Sequence, residues 1–479
     1  MRVFFSLFLV LSLFAEDQTT SHTLQLGNES LSYQAVVGSL PAKNKKEETK
    51  GEIHYIAYFK EAKNRPITFV FNGGPGSSSI WLHMGAFGPK RIASGEEGQL
   101  PVPPYQILDN QETLLDLTDL VFVDPIGSGL SRAQSEEEAL DFYRSFGDVE
   151  SLGLFIRDFL THHKRWNSPL YLAGESYGAL RCSGLANYLQ SDQGIYLNGL
   201  ILISSAIDYQ TFVFDQDNLL PYPLFLPTYA TTAWYHGRYR PETSLEEVAE
   251  EARKFAYEVY TPFLLRPHLF SRAEKESLYE RLSALTGIPI GSIKREAGKI
   301  DEETFFLDFF PEEKKILGRF DTRMLGFYTH RALTSFEQDP SMTGSHGIFA
   351  GAFHQYLAEE LNSPVSYKLF SLEAHQHWQY GNFSSFGYPN FMEAFRRALM
   401  VNPSLKVFVG MGYFDAATPF ATAEYCLDHL NLPEGMSPPI QKGYYEGGHM
   451  YYLNPSAREK FKQDLTQFYK NEKRPCAGS

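Results

Sequence analysis

At 479 residues the chain is long enough for two to three average domains or for one large α/β domain carrying an insertion. A formal charge of −14, with no long Lys/Arg block, argues against a general nucleic-acid surface and leaves a peptide or small molecule as the expected partner. Three cysteines against 43% hydrophobic residues are too few for a disulfide scaffold, so stability must come from an apolar core.

Residues 1–15 place Arg2 before about a dozen apolar residues and end on Ala15, the pattern of a secretory signal peptide. Cleavage is expected after Ala15, although Leu13 fits the cleavage pattern poorly. An uncleaved anchor is the alternative, but the run is short for a membrane span and no other stretch reaches 18 apolar residues. The expected location is therefore secreted or periplasmic, with no stable membrane span once the signal is removed. Asn28 and Asn382 open formal glycosylation sequons, motifs short enough to recur by chance.

Residues 22–60 alternate around a charged stretch at 43–50, which predicts an antiparallel hairpin at a sheet edge. Apolar runs at 67–71, 120–123, 170–173 and 200–203 follow at intervals suited to crossover helices, so a mostly parallel sheet is predicted. The run at 170–173 leads straight into Gly174-Glu175-Ser176-Tyr177-Gly178, and apolar residues then fall at Cys182, Leu185, Ala186 and Leu189. Strand, sharp turn and helix are the context in which G-x-S-x-G lifts a serine hydroxyl above a sheet, which makes Ser176 a candidate nucleophile.

After residue 207 the rhythm changes to charge-rich helical segments such as 244–260, opened by Thr243 or Ser244 with Glu246 and Glu247 in the first turn. Acidic and aromatic residues interleave at 301–320. These features predict a largely helical cap at 208–370 inserted between core segments 16–207 and 371–479. Strands return at 406–410 and 441–445, before a closing amphipathic helix at 456–469. The predicted fold is an α/β-hydrolase, a mostly parallel central sheet flanked by helices.

Ser176, Asp415 and His449 follow the chain order nucleophile, acid, base used by α/β-hydrolases. His449 would take the serine proton, and Asp415 would orient and stabilise the imidazolium. The loop at 72–78, Asn-Gly-Gly-Pro-Gly-Ser-Ser, offers a glycine N–H for a developing oxyanion, with Tyr177 N–H as its partner. Its phosphate-binding alternative lacks the Gly-Lys-Ser/Thr ending of a P-loop. His162-His163 and His375-Gln376-His377 have no third metal ligand placed by spacing, and no metal or cofactor is expected. The stretch from Asp124 to Ser131 reads as a structural turn beside the site. A Cys182–Cys426 bridge is left open by the spacing.

Together, residues 72–78, 174–178, Asp415 in Gly412-Tyr413-Phe414-Asp415, and Gly448-His449-Met450 resemble the serine carboxypeptidase family of α/β-hydrolases. The similarity runs over roughly residues 30–470, and residues 81–89 look like the family's bacterial branch. The resemblance implies Ser176 as nucleophile, His449 as base, Asp415 as acid, and Gly74 and Tyr177 as oxyanion donors. It also implies that Asn72, Gly73 and Glu175 hold the substrate's terminal carboxylate, with Met450 beside them. A protonated Glu175 donates to a carboxylate and an ionised one repels it.

Two departures stand out. Ala86 stands where the family carries a second carboxylate-binding glutamate, and Ser77 replaces the loop cysteine. Without the second glutamate, a smaller rise in the Glu175 pKa is expected. The expected activity is removal of C-terminal residues from peptides through an acyl-enzyme. The alternatives are an esterase or acyltransferase with the same triad, and a catalytically silent binding protein on a hydrolase fold. P1 preference and oligomeric state carry no readable signature.

Overall fold

The computed structural model describes residues 17–101, 103–215, 217–328, 339–380 and 388–471. Residues 1–15, the Asn382 sequon and Cys476 lie outside them. Among the described residues the main sheet is ten-stranded. Its long members are β1 (Gln18–Leu26), β2 (Glu29–Lys43), β3 (Thr49–Phe59), β4 (Ile67–Phe71), β5 (Asp119–Val123), β6 (Leu170–Ser176), β7 (Gly199–Ser205), β8 (Lys406–Gly412) and β9 (Ile440–Tyr445). They lie in the order β1-β2-β3-β5-β4-β6-β7-β8-β9, and Arg132–Ala133 adds a short strand beside β3.

The five pairings from β5 to β9 are parallel, and those joining β1, β2, β3 and β5 are antiparallel. The predicted hairpin is thus one strand larger. β1 pairs with β2 from Gln18↔Val37 to Leu26↔Glu29, and its polar, half-exposed sequence gave no apolar alternation to read.

β4, β5 and β7 are buried along their whole length, as strands covered on both faces must be. Alternate residues feed opposite cores. Phe69, Phe71, Val121, Val123, Leu172 and Leu202 meet helices α1 (Ser145–His162) and α2 (Tyr177–Ser191) on one face. Val70, Leu120, Phe122, Ala173, Ile201 and Ile203 meet the other layer. The parallel strands β4 to β9 all point the same way, so the loops after them share one edge of the sheet, where a ligand crevice forms in open α/β folds.

Between β7 and β8, helices α3 (Pro221–Tyr235), α4 (Leu245–Phe255), α5 (Arg272–Thr286) and α6 (Glu302–Asp308) enclose a third core. Phe225, Tyr229, Val248, Leu282 and Phe305 fill it, Tyr229 stacking on Phe305 with centroids 3.8 Å apart. Ser244 and Glu247 close a capping box on α4, so the predicted start of that helix is the observed one.

Two features of residues 208–370 differ from the helical cap read in the sequence. Lys315–Leu317 pairs antiparallel with Leu325–Phe327. Helix α7 (Pro340–Glu359) belongs to the core layer: Phe349, Ala352, Phe353 and Tyr356, at helical spacing, pack on the sheet face, and Tyr356 hydroxyl meets Tyr58 hydroxyl at 2.9 Å. Periodicity identifies such a helix but does not say which core it serves.

Candidate active site

Ser176 ends β6 at φ 59° and ψ −125°, a conformation that costs a non-glycine residue on the order of 1–3 kcal/mol. The close turn is possible because its flanking glycines are small. A Cβ on Gly174 would fall on the Gly178 carbonyl, and one on Gly178 would stand 2.7 Å from Phe71 O. α2 begins at once with Tyr177, whose N–H lies in the first helical turn and has no intrahelical acceptor.

Asp415 and His449 follow β8 and β9 and are buried. His449 Nδ1 donates to Asp415 Oδ2 at 2.8 Å. The other donors to that carboxylate are Ala417 N and Thr418 N on Oδ1, both 2.9 Å, and Thr418 Oγ1 on Oδ2 at 2.7 Å. With Nδ1–H committed to Asp415, neutral His449 carries its free lone pair on Nε2, the tautomer a base toward serine needs. Among the described residues no hydrogen bond joins Ser176 Oγ to that ring; such contacts are often loose in unliganded enzymes. Burial pulls the imidazole pKa down, but the charge and hydrogen bond of Asp415, aided by Glu175, leave it raised.

The base loop is tied from two sides. His449 N donates to Phe320 O at 2.6 Å, and Ser204 Oγ, at the end of β7, donates to His449 O at 2.7 Å.

Opposite stands the loop after β4. A Cβ on Gly73 would lie 2.6 Å from Tyr177 N, so the loop and the serine turn touch. Asn72 is buried; its Oδ1 accepts from Leu82 N, while its Nδ2 makes no hydrogen bond of good geometry and acts on the neighbouring Glu175 carboxyl, which it helps to hold down. Beside it, Glu175 Oε2 accepts from Tyr452 hydroxyl at 2.6 Å. Burial pushes the Glu175 carboxyl up to about 7, against the opposing pull of His449 and Tyr452. Burial is the main cause and the Asp415 charge adds to it, so the rise does not depend on a second glutamate. Ala86 lies in a π-helical turn, His83–Phe87, buried in the apolar core and outside the cavity lining.

A cavity of about 260 Å³ joins these groups. Asn72, Gly73, Gly74, Glu175, Ser176, His449 and Met450 line it, so seven of the nine residues singled out from sequence share one space. Asp415 and Tyr177 stand directly behind it. Arg319, Phe320 and Tyr380, which also line it, were not singled out from sequence, and His375 was weighed only as a metal ligand.

Beneath the site Arg181, wholly buried, donates from Nε to Asp148 Oδ2 and from Nη1 to Asn72 O, both at 2.6 Å. This pair ties α1, α2 and the glycine loop together. Replacing Arg181 with Met should cost about 3–5 kcal/mol by stranding the Asp148 charge, and a co-introduced Asp148→Asn should recover much of it. Thermal or urea unfolding of the two variants checks this; equal loss in both would assign the cost to packing. The turn at Asp124 likewise supports the loop: its Oδ1 accepts from Ser79 N at 3.0 Å and Tyr367 hydroxyl at 2.8 Å.

A family model described as serine carboxypeptidase matches residues 30–447, taking in Ser176 and Asp415 and stopping just short of His449. The chain belongs to the serine carboxypeptidase family. Among curated relatives, the pheromone-processing carboxypeptidase KEX1 of Yarrowia lipolytica is 32% identical over 148 residues, 30% of this chain and 22% of that protein. A carboxypeptidase Y homolog of Arthroderma benhamiae is 31% identical over 160 residues, 32% of this chain and 29% of that one. The matched stretches thus span under a third of these relatives' length. The crystal structure of a prohormone-processing carboxypeptidase from Saccharomyces cerevisiae superposes with a TM-score of 0.56 at 14% identity, covering 91% of each chain, and shares the fold.

In this family member Cys182 and Cys426 are free, buried thiols, so the bridge left open by spacing does not form. Burial raises both thiol pKa values. His375 Nδ1 sits 3.1 Å from Pro75 O and braces the glycine loop. Spacing offered His162-His163 no third partner, yet the fold brings Asp17 to them, with ligand atoms within 4.8 Å. These atoms are already engaged: His162 Nε2 lies 3.2 Å from Asp17 Oδ2, and His163 Nε2 lies 2.9 Å from Tyr55 hydroxyl, which donates to Asp17. The cluster does not line the catalytic cavity. Among the described residues no helix is long and apolar enough to cross a membrane.

Proposed function

We propose that this protein is an exported serine carboxypeptidase that cleaves the C-terminal peptide bond of short peptides through an acyl-enzyme on Ser176. The observation that carries the reading is the pairing of the buried Asn72 amide with the Glu175 carboxyl, in the cavity that holds Ser176 and His449: Nδ2 acts on that carboxyl but makes no hydrogen bond of good geometry, so the donor is under-satisfied. An unmatched buried amide donor costs about 1–3 kcal/mol, which a carboxylate acceptor on the substrate would offset. Asn72 Nδ2, Gly73 N–H and protonated Glu175 would then grip the terminal carboxylate, with Met450 beside it.

In this mechanism His449 Nε2 takes the proton as Ser176 Oγ attacks the carbonyl, and Gly74 and Tyr177 N–H groups meet the oxyanion. The proton passes to the leaving amine, and water repeats the cycle on the ester. Residues 1–15 would serve as the export signal, and residues 81–89 support a place in the family's bacterial branch. An esterase or acyltransferase is the second reading, favoured by Ala86: this chain offers Glu175 a tyrosine partner, Tyr452, rather than a second carboxyl.

A pH series separates the two. The productive state needs neutral His449 and protonated Glu175. Free-acid peptides should therefore show a kcat/KM that falls as pH rises through about 7, where Glu175 ionises, and falls again on the acid side as His449 protonates. The coupled pair gives apparent values belonging to both groups. A matched C-terminal amide should lose little on the alkaline side. Glu175→Gln should remove the alkaline limb and shift the acid limb to lower pH, because the Glu175 charge helps hold His449 raised. Identical profiles for acid and amide peptides, unchanged by Glu175→Gln, would favour the esterase reading.

A further inference from the structure

We propose that Arg319 forms an anion-binding subsite of the catalytic cavity and selects substrates with an Asp or Glu side chain on a residue flanking the scissile bond. The inference rests on the peptidase reading and names a substrate class for it. Among the described residues lining the cavity, Arg319 is the one permanent cation, and Glu175 the one carboxylate. The Arg319 side chain is 38% exposed and lines that space.

The backbone fixes its place. Arg319 N donates to Asp339 Oδ1 at 3.2 Å, Arg319 O accepts from Ala416 N at 3.1 Å, and the next residue holds His449 through Phe320 O. The side chain is anchored by one edge only: Nε donates to Glu302 Oε1 at 3.0 Å. Among the described residues Nη1 and Nη2 make no hydrogen bond, which leaves free the two-pronged edge that matches a carboxylate. Glu302, Asp339 and Asp415 are the acidic groups that act on it, so its charge is balanced before substrate arrives. In a molecule of net charge −14 it cannot draw acidic peptides from a distance, and its contribution is recognition within the cavity. Tyr209, Phe212 and Tyr380 give the cavity aromatic wall, where a charge-assisted pair is screened less than in water.

The test uses N-blocked free-acid dipeptides in two matched series, Glu against Gln at the residue supplying the scissile carbonyl, and Glu against Gln at the C-terminal residue. Wild type should prefer Glu in one series by on the order of 10- to 100-fold in kcat/KM. Arg319→Met should erase that preference by lowering kcat/KM on the Glu peptide about 10- to 100-fold more than on the Gln peptide, and Arg319→Lys should keep part of it. Because Arg319→Met strands Glu302, the double variant Arg319→Met/Glu302→Gln is measured alongside with its Tm, and it too should lack the preference. No preference for Glu in either series, or equal losses on Glu and Gln peptides, would overturn the proposal. Esters with acidic and neutral acyl side chains run as a parallel arm. Turnover of the esters without the peptides sinks the peptidase reading, while the same acidic-to-neutral contrast among the esters still decides the role of Arg319.

Discussion

Purified Ser176→Ala should fold as wild type does and lose peptide and ester turnover by several orders of magnitude, about 10⁵- to 10⁶-fold if it behaves as nucleophile deletions do elsewhere. The positive φ at this position is already borne by a residue with a Cβ, so exchanging serine for alanine adds no backbone strain. The oxyanion donors belong to the main chain and remain. Residual activity should therefore stay above that of water, and binding of a free-acid product should persist. Stoichiometric labelling of wild type by a fluorophosphonate, absent in the variant, is the direct measurement. Undiminished turnover by Ser176→Ala would remove the nucleophile from this serine.

Asp415→Asn should slow acylation by about 10⁴-fold. The surroundings dictate how the new amide sits. Ala417 N and Thr418 N both donate to Oδ1, so the asparagine must keep its oxygen there and turn its NH₂ toward Thr418 Oγ1 and His449 Nδ1. A donor at that place makes Nδ1 an acceptor and moves the ring proton to Nε2, the atom that has to receive the serine proton. Single-turnover kinetics with an activated ester isolate this step. A variant acylating at the wild-type rate would transfer the acid's role to another carboxylate.

The candidate triad was legible because each member announces itself locally. Each ends or follows a strand of the sheet, and glycines flank Ser176 and precede His449, so patterning and turn chemistry sufficed. The supporting residues have no such signal. Tyr452 meets Glu175 across 277 residues, and Arg181 reaches Asn72 across 109; only the folded chain pairs them. Thr418 and Ser204 look like ordinary polar residues at strand ends. Ala86 was read by counting from Asn72, but the π-helical turn at His83–Phe87 and the burial of that residue put it in the core. Helix α7 falls inside the stretch read as cap, and nothing local in its sequence marks it as a core element.

The hydrogen bond from His449 N to Phe320 O has a consequence for how such enzymes diversify. Phe320 belongs to the segment inserted between β7 and β8, and that segment is also stitched to the acid loop: Ala416 N donates to Arg319 O at 3.1 Å, Thr322 N to Phe414 O at 3.0 Å, and Thr231 Oγ1 to Tyr413 O at 2.8 Å. The insertion is therefore not an exchangeable module laid over a self-sufficient catalytic engine. Its inner seam, residues 319–322, is part of the engine's frame and is bound to be inherited with it. Of the outer helices, α4 is still anchored behind the acid loop, where Arg253 grips Glu424, while α5 carries no tie to the acid or base loops among these bonds and has the greater freedom to drift in length and sequence.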